Sequence, residues 1–184
     1  MIIVDEKYLI KQLADSVTQR NAFGIVVKQY SESLYWQIRR IVLNHDDAND
    51  VLQNTFIKAW NNLDSFRNDS KLSTWLYRIA INESLDFVRK QKNEISIERD
   101  SDTTKSVSDT LMADNYFDGN LIQAQLMQAV SKLPEAQRTV FNMRYFDGMK
   151  YSEISKVLST SEGALKASYH IAVQKISKFF QSID

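Results

Sequence analysis

In 184 residues the chain has one proline, Pro134, and four glycines. These two residue types interrupt helices, proline by removing a donor and clashing with the preceding turn, glycine through backbone entropy. A backbone with so few obligatory breaks and no useful run of strand-type alternation is expected to be all-α. Apolar residues make up 43% of the chain, enough to bury real cores. Domains cluster at roughly 100–150 residues and can be as small as about 50, so this length allows one medium domain or two small ones. Cysteine is absent. That excludes a disulfide framework and a thiolate metal site, and makes a reducing cytoplasm the expected location. The opening "MIIVDEKYLIKQL" carries acids early and has no long apolar run, so neither a signal peptide nor membrane insertion is expected.

The 23 basic and 23 acidic side chains cancel, but they are not evenly spread. Residues 1–92 hold 13 basic and 11 acidic groups, a balance of +2. Residues 93–120 hold 2 and 7, a balance of −5, in a stretch rich in Ser, Thr, Asp and Asn with little periodicity. Residues 121–184 hold 8 and 5, a balance of +3. The pattern predicts two mildly basic helical modules, 1–92 and 121–184, joined by a flexible acidic linker over 93–120.

In the C-terminal module Pro134 is expected to stop the helix of "LIQAQLMQAVSKL" and open the next, "PEAQRTVFNMRYFD", with Gly148 as its cap. A short helix, "YSEISKVL", a turn at Ser159, Thr160 and Ser161, and a longer helix starting near Gly163 form a helix-turn-helix pattern. On that last helix Leu165, Tyr169, Ala172, Ile176 and Phe179 share the stripe expected to be buried. Lys166, Ala167, His170, Ile171 and Gln174 share the opposite face. Lys166 suits a guanine edge or a phosphate, Gln174 an adenine or a phosphate, and Ala167 and Ile171 thymine methyls. The alternative is a helical bundle with a solvated face. His170 has no second ligand at metal-binding spacing, so no metal or other cofactor is expected.

In the N-terminal module "LIKQLADSVTQRNAFGIVVKQY" and "SLYWQIRRIVL" are the first candidate helices, with a periodicity that needs nothing beyond a core. In "DDANDVLQNTFIKAWNNLDSF", Leu52, Phe56, Ala59, Trp60 and Leu63 form an apolar stripe that places Trp60 in the core. Asp50, Gln53, Asn54, Ile57 and Asn61 line the other side. Short, mostly uncharged polar groups around one Ile suit a contact surface, since a solvated face normally carries Lys and Glu. After the loop Arg67, Asn68, Asp69, Ser70, Lys71 comes "TWLYRIAINESLDFVRKQK", where Lys71, Trp75, Arg78, Asn82 and Arg89 cluster on one face. An aromatic flanked by cations suits phosphates and unstacked bases, although Trp75 equally suits a core.

Together these stretches resemble the extracytoplasmic-function sigma factors, the compact branch of the sigma-70 family, from about residue 20 to 180. "DDANDVLQNTFIKAW" is similar to region 2.2, which in the family docks on the clamp coiled coil of RNA polymerase. "SFRNDSKLSTWLYRIAINESLDFVRK" is similar to regions 2.3 and 2.4, which open the minus-ten element and hold a flipped base. "LPEAQRTVFNMRYFDGMKYSEISKVL…GALKASYHIAVQKI" is similar to region 4, whose helix-turn-helix reads the minus-thirty-five element. The resemblance implies three partners: core RNA polymerase, through its beta-prime clamp and beta flap; promoter DNA; and an anti-sigma factor. It implies minus-ten contacts from Arg67, Asn68, Asp69, Ser70, Lys71, Trp75, Arg78 and Asn82, and minus-thirty-five contacts from Lys166, Ala167, Ser168, His170, Ile171 and Gln174. Asn54 stands where the family often has Glu, Ser159 where it often has Gly, and Ser168, Ile171 and Val173 where many relatives carry Arg. The groove contact is therefore expected to depend more on shape and apolar fit than on charge.

Competing readings explain less. A stand-alone helix-turn-helix regulator leaves the 50-53-54-57-61 band without a purpose. An adaptor built of helical bundles would have no salt-sensitive DNA affinity. An enzyme is disfavoured because two isolated histidines, no cysteine and no phosphate-cradling glycine loop provide no nucleophile, base or metal constellation, and no catalytic residue is assigned.

Overall fold

The computed structural model describes residues 4–66, 70–97 and 121–183. Among them every regular element is helical. The chain divides into two compact units, Met1–Glu98 and Arg99–Asp184. Arg67, Asn68 and Asp69, and residues 98–120 of the acidic connector, lie outside the described residues.

The first unit begins with α1 (Glu6–Leu13) and α2 (Gln19–Val42). The break between them falls at 14–18, and α2 runs without interruption through Tyr30–Ser33, where the sequence pattern predicts two separate helices. Serines at 31 and 33 do not break it because their hydroxyls donate to the carbonyls of Val27 and Tyr30, inside the helix. The actual break is made by Asp15, whose carboxylate accepts from Val17 N–H, and Thr18, whose hydroxyl reaches back to the Gln12 carbonyl. At its far end α2 stops on Leu43 in the left-handed region (φ 67°), which is rare for a bulky side chain. Burial of the Leu43 side chain offsets that strain.

Asn44 caps α3 (His45–Asn61), accepting from the amides of Asp46 and Asp47 at 2.8 and 3.1 Å. A short 3-10 turn, Leu63–Ser65, leads toward α4 (Leu72–Ile97), which continues past residue 92. Helices α2, α3 and α4 pack on one another around Val26, Leu34, Ile38, Val51, Leu76 and Ile81, all buried.

The second unit holds α5 (Leu121–Ser131), α6 (Glu135–Phe141), α7 (Tyr151–Leu158) and α8 (Glu162–Gln181). Pro134 sits in the capping position of α6, and its carbonyl accepts the first helical bond, from Arg138 N–H at 2.9 Å. The Arg138 guanidinium points back to the Ser131 and Leu133 carbonyls, closing the exposed end of α5. Burial holds its pKa below the ordinary arginine value. Beyond Phe141 the helix widens into one π turn, Asn142–Phe146, which ends on Gly148 at φ 65°. The core gathers Ala129, Val130, Leu133, Phe141, Ala172 and Ile176, with Phe141 stacked between Tyr145 and Tyr169 at 5.1 and 5.7 Å.

Between α7 and α8 the turn is Ser159, Thr160 and Ser161. Ser159 is left-handed (φ 52°, ψ 39°), the Thr160 amide bonds to the Ser155 carbonyl at 3.3 Å, and the Ser161 hydroxyl caps α8 through Ala164 N–H. This is a Schellman closure with serine in the place that favours glycine. Ser159→Gly is expected to stabilise the second unit by about 1 kcal/mol, the strain of a left-handed L-residue. Chemical denaturation checks it, and a loss of stability would show that the serine side chain contributes more than the strain costs.

Candidate functional site

Helix α3 packs through Ala48, Val51, Thr55 and Ala59, all buried, so its small residues let it lie close to α2 and α4. The opposite side carries Asp50, Gln53, Asn54, Ile57 and Asn61, every one exposed, with Ile57 59% exposed. The structure corrects the reading of Trp60 as a core residue: it is 40% exposed, while Leu52 and Phe56 are half-buried. At 100° per residue Trp60 lies about 120° from Ala48 and only about 60° from Ile57, so the signal was present in its angular position.

Trp60 instead packs edge-on against Phe23 of α2 at 5.0 Å, and Phe23 meets Phe56 at 6.4 Å. With Arg20, Gly24 and Ile57 these rings line an open groove of ≈ 530 Å³ that continues the exposed α3 band. Arg20, Phe23 and the exposed Trp60 edge were not among the sequence-derived site residues. Two helices must be paired in space before their rings form one surface. Near the start of α3, burial raises the Asp47 carboxyl above its usual range. The neighbouring Asp50 and Asp46 charges push the same way, against a hydrogen bond with Gln91 and the charge of Arg39.

On α4 the buried residues are Leu72, Leu76, Ala80, Ile81, Ser84 and Val88. Lys71, Arg78 and Asn82 stand exposed on the other side, and Trp75 is half-buried at its edge, its ring 5.2 Å from that of Phe66. Ser70 is exposed beside them. Arg89 shares this face and pairs with Asp86 at 3.2 Å, which neutralises part of its charge. Lys58 of α3 and Glu83 of α4 form an ion pair that ties the two surfaces to one frame.

On α8 the buried stripe is Leu165, Ala172 and Ile176, flanked by half-buried Tyr169 and Phe179. Lys166, Ala167, His170, Ile171 and Gln174 are all exposed, whereas Ser168 is half-buried beside the stripe. Lys166 reaches Glu162 at 3.8 Å and lies 5.7 Å above the Tyr151 ring. Gln174 Nε2 donates to His170 Nε2 at 3.0 Å, so the two side chains present one joined edge. The face therefore offers one lysine, one histidine, one amide and two apolar groups, a set with little charge. Among the described residues no three His, Asp or Glu side chains are grouped to hold a metal, and no helix is long and apolar enough to cross a membrane.

Each unit matches a family model of its own, and the relatives span both. Residues 26–94 match the model of Sigma-70 region 2, and residues 123–176 match that of Sigma-70, region 4. The chain is 30% identical over 179 residues to the ECF RNA polymerase sigma factor SigW of Bacillus subtilis, covering 94% of this chain and 95% of that one. It is also 30% identical over 185 residues to the RNA polymerase sigma-H factor of Pseudomonas aeruginosa, covering 94% of each. In fold it is similar to the sigma factor RpoE of Bartonella quintana, solved with the anti-sigma factor NepR. The TM-score is 0.73 at 22% identity, over 86% of this chain and 96% of that one. It is similar also to CnrH, solved with the cytosolic domain of CnrY, with a TM-score of 0.70 at 24% identity, over 97% and 99%. A helical unit with a bare polar band, a second that ends in a helix-turn-helix, and full-length likeness to proteins carrying both in this order make the chain a member of the extracytoplasmic-function branch of the sigma-70 family, an RNA polymerase sigma factor that directs the core enzyme to specific promoters.

Proposed function

We propose that the work of initiation is divided among three surfaces. The α3 band of Asp50, Gln53, Asn54, Ile57 and Asn61, with the groove beside it, docks on the clamp of core polymerase. The α4 face of Lys71, Trp75, Arg78 and Asn82 recognises and opens the minus-ten element, with Arg67, Asn68, Asp69 and Ser70 leading into it. The α8 face of Lys166, Ala167, His170, Ile171 and Gln174, with Ser168 at its edge, reads the minus-thirty-five element. The segments 1–92 and 121–184 act as separate modules, and the acidic 93–120 connector repels DNA and suits the positive RNA channel of the polymerase. The protein performs no catalysis of its own, works in the cytoplasm, and is held inactive by an anti-sigma partner, a regulation supported by the likeness to RpoE.

The observation that carries this reading is the α3 band. Exposed Ile57 is continuous with exposed Trp60 and the groove over Phe23 and Phe56, and an apolar patch of this kind rimmed by polar groups suits a protein partner that a DNA-binding regulator acting alone would not need. The α8 and α4 surfaces by contrast suit DNA, the first as a helix for the major groove and the second as an aromatic among cations.

Transcription from a promoter library randomised in both elements separates the two DNA surfaces. Gln174→Ala or Lys166→Ala in the holoenzyme is expected to relax preference at single upstream positions, with roughly 1–3 kcal/mol lost per base contact. Arg78→Ala or Asn82→Ala is expected to alter minus-ten preference or opening and leave the upstream preference intact. If Lys166 and Gln174 variants kept the upstream preference and changed only the minus-ten profile, the surfaces would be assigned to the wrong elements.

A further inference from the structure

Helix α1 lies outside the region 2 match, yet it is tied down at both ends. Val4 exchanges two hydrogen bonds with the Gln29 amide, 3.0 Å from its N–H and 3.4 Å to its carbonyl. At the other end Thr18 and Gln19 donate to the Gln12 and Leu13 carbonyls at 2.8 and 3.0 Å. Leu9 and Leu13 are buried beneath it. So many restraints on eight residues hold in place whatever else α1 carries on that packed face.

Half-buried Glu6 shares that face with Leu9 and Leu13, and its carboxylate oxygen accepts the backbone N–H of Leu72 at 2.6 Å. Leu72 opens α4, and its amide is one of those a helix start leaves without an intrahelical partner. The residue in the local capping position is Lys71, whose ammonium has no acceptor to offer. The cap therefore comes from a carboxylate 66 positions upstream, and its negative charge suits the positive end of the helix. The same first turn holds the Lys71 carbonyl to Trp75 N–H at 3.1 Å, so the turn that Glu6 fixes is the one that carries Lys71 and Trp75.

We infer that Glu6 is a positioning residue for promoter opening: from α1 it caps α4 and so holds Lys71 and Trp75 in the orientation that meets the separating strands. The inference rests on the assignment of α4 to the minus-ten element. Its action is on strand opening and not on docking, because α1 offers Glu6 to α4 and not to the α3 band.

The test uses full-length protein with core polymerase, comparing Glu6→Ala and Glu6→Gln on a duplex promoter and on the same promoter already unpaired across the minus-ten element. Amide hydrogen exchange at Leu72 is followed in the free chain. Glu6→Ala is expected to slow opening of the duplex about tenfold, the low end for a hydrogen bond to a charged group, and to speed exchange at Leu72. Core affinity and transcription from the unpaired template stay at wild-type levels, and Glu6→Gln, which keeps an acceptor of the same reach, recovers most of the loss. Unchanged exchange at Leu72, unchanged opening, or an equal loss on both templates would each overturn the proposal, the last by showing general damage to the fold. Failure of the α4 assignment looks different: Arg78→Ala and Asn82→Ala would leave opening intact, and the Glu6 role in opening would fall with it even if the Leu72 amide behaved as a capped one.

Discussion

Leu165→Ala lowers the stability of the second unit by about 3 kcal/mol and leaves the first unit's unfolding where it was. Leu165 is 1% exposed in the first turns of α8, where α7 packs on α8 across the helix-turn-helix. Truncating it removes apolar contacts on the inner face of the turn that sets the angle of the exposed α8 face, and a rigid close-packed site collapses only in part. The three tryptophans, Trp36, Trp60 and Trp75, all lie in the first unit, so their fluorescence follows that unit alone. Circular dichroism follows both. The expected record is an unmoved tryptophan transition and a second, earlier transition visible only as loss of helix. If the tryptophan transition moved down with it, the two units would unfold as one cooperative block and the modular division would fail.

Ile57→Asp removes most of the affinity for core polymerase, roughly a hundredfold or about 3 kcal/mol, by placing an unpaired charge where an apolar side chain is to be covered. The effect on folding is small, because Ile57 is 59% exposed and substitutions at such positions usually stay within about 0.5 kcal/mol. Asp50→Ala combined with Gln53→Ala weakens binding less, since polar groups at an interface rim exchange protein contacts for water. Competition for core polymerase against a labelled wild-type chain, with circular dichroism to establish folding, gives both numbers. Wild-type affinity of a folded Ile57→Asp protein would remove the main support for α3 as the docking surface.

Much of the local architecture is written in short-range chemistry. Pro134 ends one helix and starts another because it lacks an N–H, and Gly148 and Ser161 mark a left-handed stop and a side-chain cap. The buried stripe of α8 follows from a 3.6-residue period, since Leu165, Ala172 and Ile176 meet a single neighbouring core. These features depend on residues within a few positions of one another, and a sequence displays such distances directly. The exposed character of the α3 band is legible for the same reason: five residues at helical spacing share one face whatever covers the other.

Packing decided the rest. Grouping Trp60 with Leu52, Phe56, Ala59 and Leu63 by its apolar character places it inside, but α3 meets its neighbours through Ala48, Val51, Thr55 and Ala59, and Trp60 lies outside that stripe, against Phe23. Tyr30 through Ser33 read as a division between helices, yet the hydroxyls of Ser31 and Ser33 are absorbed by α2's own carbonyls and its continuous flank is buried against α3 and α4. The stacking of Phe141 on Tyr169, which only folding brings together, is likewise a tertiary contact, made just before the π turn of Asn142–Phe146. Glu6 shows the limit most plainly. Nothing near it in sequence marks it as a helix cap, because the N–H it satisfies belongs to Leu72 and only folding brings the two to 2.6 Å. The sequence by itself determined an all-helical fold, the stops and caps at Pro134, Gly148 and Ser161, and the outward faces of α3, α4 and α8, all set by spacing and bonding within a turn or two. The tertiary structure alone decided which aromatic rings line the α2–α3 groove and which carboxylate holds the start of α4, because those depend on how close two helices lie, a distance no local pattern encodes.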